Sequence, residues 1–126
     1  MTPAGPPDDP SIPGEAELWR RIPFAQWASD PSVATGFRPS SANFDDVELS
    51  VVIASECIGG LDTLLQDHDG FGVASFSVAE VHDLGWGVVR APDDQLPGHA
   101  HVTGKKSHGK CSKLAKICRM VRVPTK

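Results

Sequence analysis

Residues 48–54, Glu-Leu-Ser-Val-Val-Ile-Ala, restrict the fold more than any other run in the chain. The segment is β-branched and nearly continuous in apolar character, so both of its faces must be covered by protein. Such a strand belongs inside a sheet, and a chain of 126 residues with 40% hydrophobic content has room for one sheet and one core. Other segments read as its companions. Residues 18–22, 71–76, 86–90 and 99–103 are expected as strands, and residues 120–123 alternate and read as a last one.

Helices are announced by different signals. Ser77 and Glu80 have the spacing of a capping box, which satisfies free backbone donors at a helix start, and Gly85 closes that helix after one or two turns. Leu61, Leu64 and Leu65, after Gly59-Gly60 and before His68-Asp69-Gly70, mark a small helix. Between residues 110 and 120, Cys111, Leu114, Ala115 and Cys118 recur at helical spacing while Lys113, Lys116 and Arg119 fall on other faces, which makes this the longest helix. Residues 24–27 read as a turn or short helix broken at Asp30-Pro31. Residues 36–46 read as an irregular loop anchored by Phe37 and Phe44. The expected fold is α+β: a small mixed or antiparallel sheet of about five strands with two or three short helices.

Residues 1–14 contain five prolines and almost no large apolar side chain, so they are expected as a flexible leader, with residues 15–126 as a single domain. The acidic, proline-rich start does not resemble a signal peptide, and no apolar run approaches the ~20 residues of a membrane helix. The three cysteines, Cys57, Cys111 and Cys118, are an odd number in a chain that needs no staples. Reduced thiols and a cytoplasmic location are expected from them.

Charge is divided sharply. All 16 acidic residues lie in residues 1–95 with four basic ones, a net of −12, whereas residues 96–126 hold eight basic residues and no acid, a net of +8. This predicts either a basic face that meets an anion or two halves that attract each other within the fold. Lys113, Lys116, Arg119 and Arg122 space positive charge along the last helix and strand, a pattern suited to nucleic acid. The absence of tyrosine and the 6% aromatic content leave no evident platform for stacking bases.

Two segments carry the candidate chemistry. Residues 97–110 bring together His99, His101 and His108 with Lys105, Lys106 and Lys110. His99 and His101 leave the same face of a strand, where imidazoles serve as acid or base, and the lysines offset anionic charge. In the second segment Arg38, Ser40 and Ser41 combine a guanidinium with hydroxyls and loop amides, groups that hold a phosphate or carboxylate, although Arg38 can also pair with Asp45 or Asp46. No Cys-x-x-Cys or His-Glu-x-x-His pattern is present, and neither a metal nor another cofactor is expected.

Several motifs resemble known patterns. His101-Val102-Thr103 matches the His-x-Thr core of two-histidine phosphoesterases, whose mechanism needs a second copy that this chain lacks. An early arginine with a later serine pair resembles ADP-ribosyl-transfer domains that use NAD, which also want a late acidic residue, and residues 96–126 have none. Leu18-Trp-Arg-Arg-Ile22, Arg38-Pro-Ser-Ser41, Leu49-Ser-Val51 and Pro97-x-His-Ala100 with Val102, Gly104 and Lys105 together resemble a family of small uncharacterised bacterial proteins. That resemblance singles out Arg38, Ser40, Ser41, His99 and Lys105.

Three functional expectations follow. The first is an accessory or binding domain that contacts an anionic ligand or a protein partner through Arg38, Ser40, Ser41, Lys105 and Lys106. The second is a small metal-independent enzyme acting on RNA, a nucleotide or NAD, with His99 or His101 as acid or base and Arg38 and Lys105 stabilising charge. The third is a component of a larger assembly, with an exposed apolar patch near Trp19, Trp27 or Trp86.

Overall fold

The 48–54 run lies in the interior of a six-stranded antiparallel sheet in the computed structural model, which describes residues 5–126. Its strands are β1 (Glu17–Ile22), β4 (Leu49–Ile53), β5 (Gly72–Ser77), β6 (Gly87–Arg90), β7 (His99–Thr103) and β8 (Arg119–Arg122). They are ordered β6-β7-β4-β1-β5-β8. A separate ribbon pairs β2 (Trp27–Ser29) with β3 (Phe37–Pro39). Three helices complete the α+β fold: α1 (Leu61–Leu64), α2 (Val78–Asp83) and α3 (His108–Ile117), the longest.

Strand alternation assigns each side chain to a face. Leu18 and Ile22 of β1, Leu49, Val51 and Ile53 of β4, Ala74 and Phe76 of β5, and Ala100 and Val102 of β7 point to one side. There they bury against Val78 and Val81 of α2, Cys111, Leu114 and Ala115 of α3, and Phe44, whose ring meets Phe76 edge to face at 6.1 Å. The opposite face carries Trp19, Val52 and Val73 and is covered at one end by Cys57, Leu64 and Leu96. Around the middle of β4 and β7 that face is open: Ser50 is exposed on it, and His99, His101 and Val89 are half-buried.

Arg20 departs from the apolar pattern of its face. Its Nε donates to Asn43 Oδ1 at 2.6 Å, Nη1 to Ser50 O at 2.7 Å and Nη2 to Asn43 O at 3.1 Å. Asn43 Nδ2 donates in turn to Gln26 Oε1, and Ser40 N donates to Gln26 O. One guanidinium therefore ties β1 and β4 to the 3-10 turn Ser41–Phe44 and, through Gln26, to the ribbon. Burial pushes its pKa down to about 10, with Asp46 acting in the opposite direction, so it stays charged at neutral pH.

The capping box at α2 is present as read: Ser77 Oγ accepts from Glu80 N, and Glu80 Oε1 accepts from Ser77 N. The ribbon forms where the sequence predicts a turn and an irregular loop, because each of its strands has only three residues set among turn formers. It forms because Trp27 is anchored. Trp27 Nε1 donates to Ile22 O at 2.9 Å, and its ring lies where a Cβ on Gly72 would come within 2.7 Å of it.

The expected leader also needs correction. Residues 1–4 lie outside the described residues, but from Pro7 onward the chain is docked on β6 and its neighbours. Thr103 Oγ1 donates to Pro7 O, Val88 N to Asp8 Oδ1 at 2.8 Å, and Asp9 N to Val88 O at 2.8 Å. Ile12 is buried in the main core. The physical reason is the outer edge of β6, whose backbone groups need partners, and prolines restrict the unfolded chain that must be ordered there.

Two outcomes test this framework. Arg20→Ala strands the amide of Asn43 and the carbonyl of Ser50, and a loss of about 3 kcal/mol is expected in urea unfolding. Arg20→Lys should recover little of it, since an ammonium cannot span the three acceptors. For Asp8, burial acts to raise the pKa, but the Val88 N–H and His82 outweigh it and hold the carboxyl below its ordinary value. A depressed carboxylate stabilises docking above the unfolded value of about 3.9 and stops doing so as pH falls through the lower folded value. Hydrogen exchange, corrected for intrinsic rates, should show the Asp9 and Val88 amides losing protection in that acid range, and in Asp8→Asn at neutral pH.

Candidate functional site

The ribbon and the C-terminal segment enclose a groove of about 650 Å³. Trp27, Val33, Phe37 and Met120 supply apolar walls, and Arg38, Lys116 and Arg119 bring charge to it. Arg38 extends from β3, where Nε meets Asp30 Oδ2 at 3.3 Å. Asp30 is itself fixed by the Ser32 hydroxyl and amide, which hold its carboxyl below the ordinary range. The terminal nitrogens of Arg38 have no hydrogen-bond partner among the described residues. Arg119 Nη2 donates to Glu80 Oε1 at 3.0 Å, so the α2 capping box also positions a groove cation. Burial pushes the Cys118 thiol up to about 12, which keeps this lining residue protonated and unreactive.

Ser40 and Ser41 enter the 3-10 turn beside the ribbon, but they do not line the groove that holds Arg38. Lys106 also differs from its expected role as an anion ligand. Its Nζ donates to Gly104 O at 2.8 Å, Val102 O at 3.0 Å and Val47 O at 3.3 Å, and lies 5.0 Å from the centre of the Trp86 ring. All three of its donors are used, and the residue is 8% exposed. Burial pushes its pKa down, with Cys111, Asp46 and Asp45 opposing. Gly104 serves the same packing: its φ is +114°, and a Cβ there would come within 3.0 Å of Trp86. Lys105 remains exposed, and its carbonyl accepts from Trp86 Nε1.

The other basic side chains of residues 96–126 bear on the divided charge. Lys105, Lys110, Lys113, Lys116, Arg122 and Lys126 are exposed, and Arg119 is the only Lys or Arg of that segment in an ion pair among the described residues. The segment therefore presents its charge to solvent. The series Lys113, Lys116, Arg119 and Arg122 is split, because Lys116 and Arg119 border the large groove while Arg122 borders a separate cavity of about 130 Å³ beside His68 and Phe71.

His99 and His101 lie on the open face of the sheet, away from the face that α3 covers, and neither they nor Lys105 reach the groove of Arg38. His99 Nδ1 is 2.7 Å from Ala91 O, and its Nε2 is 2.5 Å from Ser50 Oγ. The two imidazoles meet edge to face at 5.2 Å, and His101 Nδ1 is 3.4 Å from Glu48 Oε2. Ser50 carries no role in the sequence reading. Its signal was that of the one polar residue in Leu49–Ile53.

Trp27 and Trp86 are buried and Trp19 is half-buried, so the indoles themselves do not form an exposed apolar surface. Among the described residues no three His, Cys, Asp or Glu side chains are grouped to hold a metal ion, and no helix is long and apolar enough to cross a membrane. Comparison with protein-family models, curated proteins and solved structures finds no match to this chain. Lys106→Ala leaves three carbonyls without their donor and uncovers Trp86, so thermal or urea unfolding should register a loss of about 2–3 kcal/mol. Lys105→Ala, by contrast, should change stability by less than about 0.5 kcal/mol.

Proposed function

We propose that this chain is an accessory binding domain that takes a small anionic ligand with an apolar or flat body in the groove between the ribbon and the C-terminal segment. The observation that carries this reading is the meeting of Arg38 with Lys116 and Arg119 over walls of Trp27, Phe37 and Met120. A guanidinium with free terminal nitrogens suits a carboxylate or phosphate, and the volume is that of a small-molecule site. The exposed lysines of α3 would draw an anion towards it. A cytoplasmic setting fits three free thiols, two of them buried.

The alternative of an enzyme acting on RNA, a nucleotide or NAD, in which Arg38, Lys105 and a histidine share one pocket, has less support, because the groove gathers Arg38 alone of that set. Nucleic acid is less favoured too, since the basic series is divided between two concavities.

A thermal-shift screen against mononucleotides, NAD and short carboxylate-bearing aromatic compounds tests the reading. A ligand at a hundredfold excess over its dissociation constant adds about 2.7 kcal/mol of stability. Arg38→Ala and Lys116→Ala should each weaken binding about tenfold, the equivalent of about 1.4 kcal/mol, with little change in unliganded melting. If no such ligand shifts the melting temperature, or if the Arg38→Ala/Lys116→Ala double variant binds as tightly as the parent, the proposal fails.

A further inference from the structure

On the open face of the sheet, remote from the groove, the geometry points to Ser50 and His99 as a nucleophile–base pair that accepts acyl groups from small, neutral, activated carboxylic esters. A backbone carbonyl can only accept a hydrogen bond, so the 2.7 Å contact to Ala91 O places the proton of a neutral His99 ring on Nδ1. Nε2 is then an acceptor, and Ser50 Oγ donates to it at 2.5 Å. Nucleophile, base and a third group that orients the base are thus in line. Ala91 holds His99 twice, because Ala91 N also donates to His99 O at 3.0 Å. The ring of His101 packs edge-on against the base.

The serine is held as firmly. Its strand has neighbours on both sides, Ser50 pairs with His101 across β7, and its carbonyl takes the Nη1–H of Arg20 at 2.7 Å. Its hydroxyl nevertheless faces solvent, the only exposed position of β4. Val89, half-buried opposite His101, offers a small apolar contact suited to a short acyl chain. Glu48 beside His101 disfavours an anionic phosphoester, which is why a neutral ester is assigned. In the reaction Ser50 Oγ forms a bond to the ester carbonyl carbon while its proton passes to His99 Nε2. The ester C–O bond then breaks, and the alcohol leaves with that proton. Water, deprotonated by the same nitrogen, releases the carboxylic acid and restores Ser50.

A fluorophosphonate probe, which loses fluoride on reaction with an activated serine, tests the pair in the full-length protein, with labelled peptides mapped by mass spectrometry. Ser50 should react at least about 100-fold faster than the exposed Ser11 and Ser55, the size of effect that a positioned base gives. In His99→Gln its rate should fall to theirs, and Ser50→Ala should abolish both the label and release of nitrophenol from p-nitrophenyl acetate. Labelling of Ser50 no faster than Ser11 and Ser55 overturns the inference within the parent protein, whatever the variants' stability. Equal labelling of Ser50 in a folded His99→Gln variant overturns it as well.

Discussion

The guanidinium of Arg20 lies inside the sheet, where a charge is expensive to place, and its three contacts are with a side-chain amide and two backbone carbonyls. Among the described residues no carboxylate is in direct contact with it. The arrangement holds because each N–H direction used finds an oxygen, and because the bonds join β1 to two stretches distant in the chain, β4 and the turn that follows the ribbon. What the apolar core supplies in bulk, this group supplies in position. It fixes the backbone of Ser50 on one side and, through Asn43 and Gln26, the base of the ribbon carrying Arg38 on the other. Both candidate sites therefore rest on one half-buried side chain that touches neither a reacting atom nor a ligand group.

Electrostatics elsewhere follows a simpler rule. The carboxylates that pair serve local structure: Asp8 docks the N-terminal segment, Glu80 caps α2 and holds Arg119, and Asp30 holds Arg38. These are exposed or half-exposed pairs, each of small energetic weight, and their role is to aim side chains. The basic C-terminal segment is largely left out of them, so the division of charge seen in the sequence persists in the folded protein as a solvent-facing positive region around α3.

The sequence made legible whatever depends on local pattern. The central strand was evident because β-branched residues at successive positions need cover on both faces, and the helix at Ser77 because Glu80 stands three residues on. The longest helix followed from Cys111, Leu114, Ala115 and Cys118 sharing one side. The failures are long-range. Asp8 bonds the amide of Val88, eighty positions away, so nothing near the prolines signals that the segment docks. Gly104-Lys105-Lys106 reads as a loop for an anion, yet the ring of Trp86 and three carbonyls turn Lys106 inward. Arg38 was legible as an anion-binding residue, but its partners Lys116 and Arg119 come from the far end of the chain. Ser50 gains its meaning only from the register that sets β4 against β7.

Docking of residues 7–9 along β6 also decides how copies of this protein can meet through their sheets. With Val88 on that border bonded to Asp8 and Asp9, β8 is the margin of the six-stranded sheet with no segment docked on it among the described residues. A second copy joined there, β8 against β8, would cover the bare margin of both six-stranded sheets. Arg119 and Arg122 would then face their own counterparts across the seam. By that route edge-to-edge pairing would end at two copies, with the segment docked on Val88 as the stop at the other border.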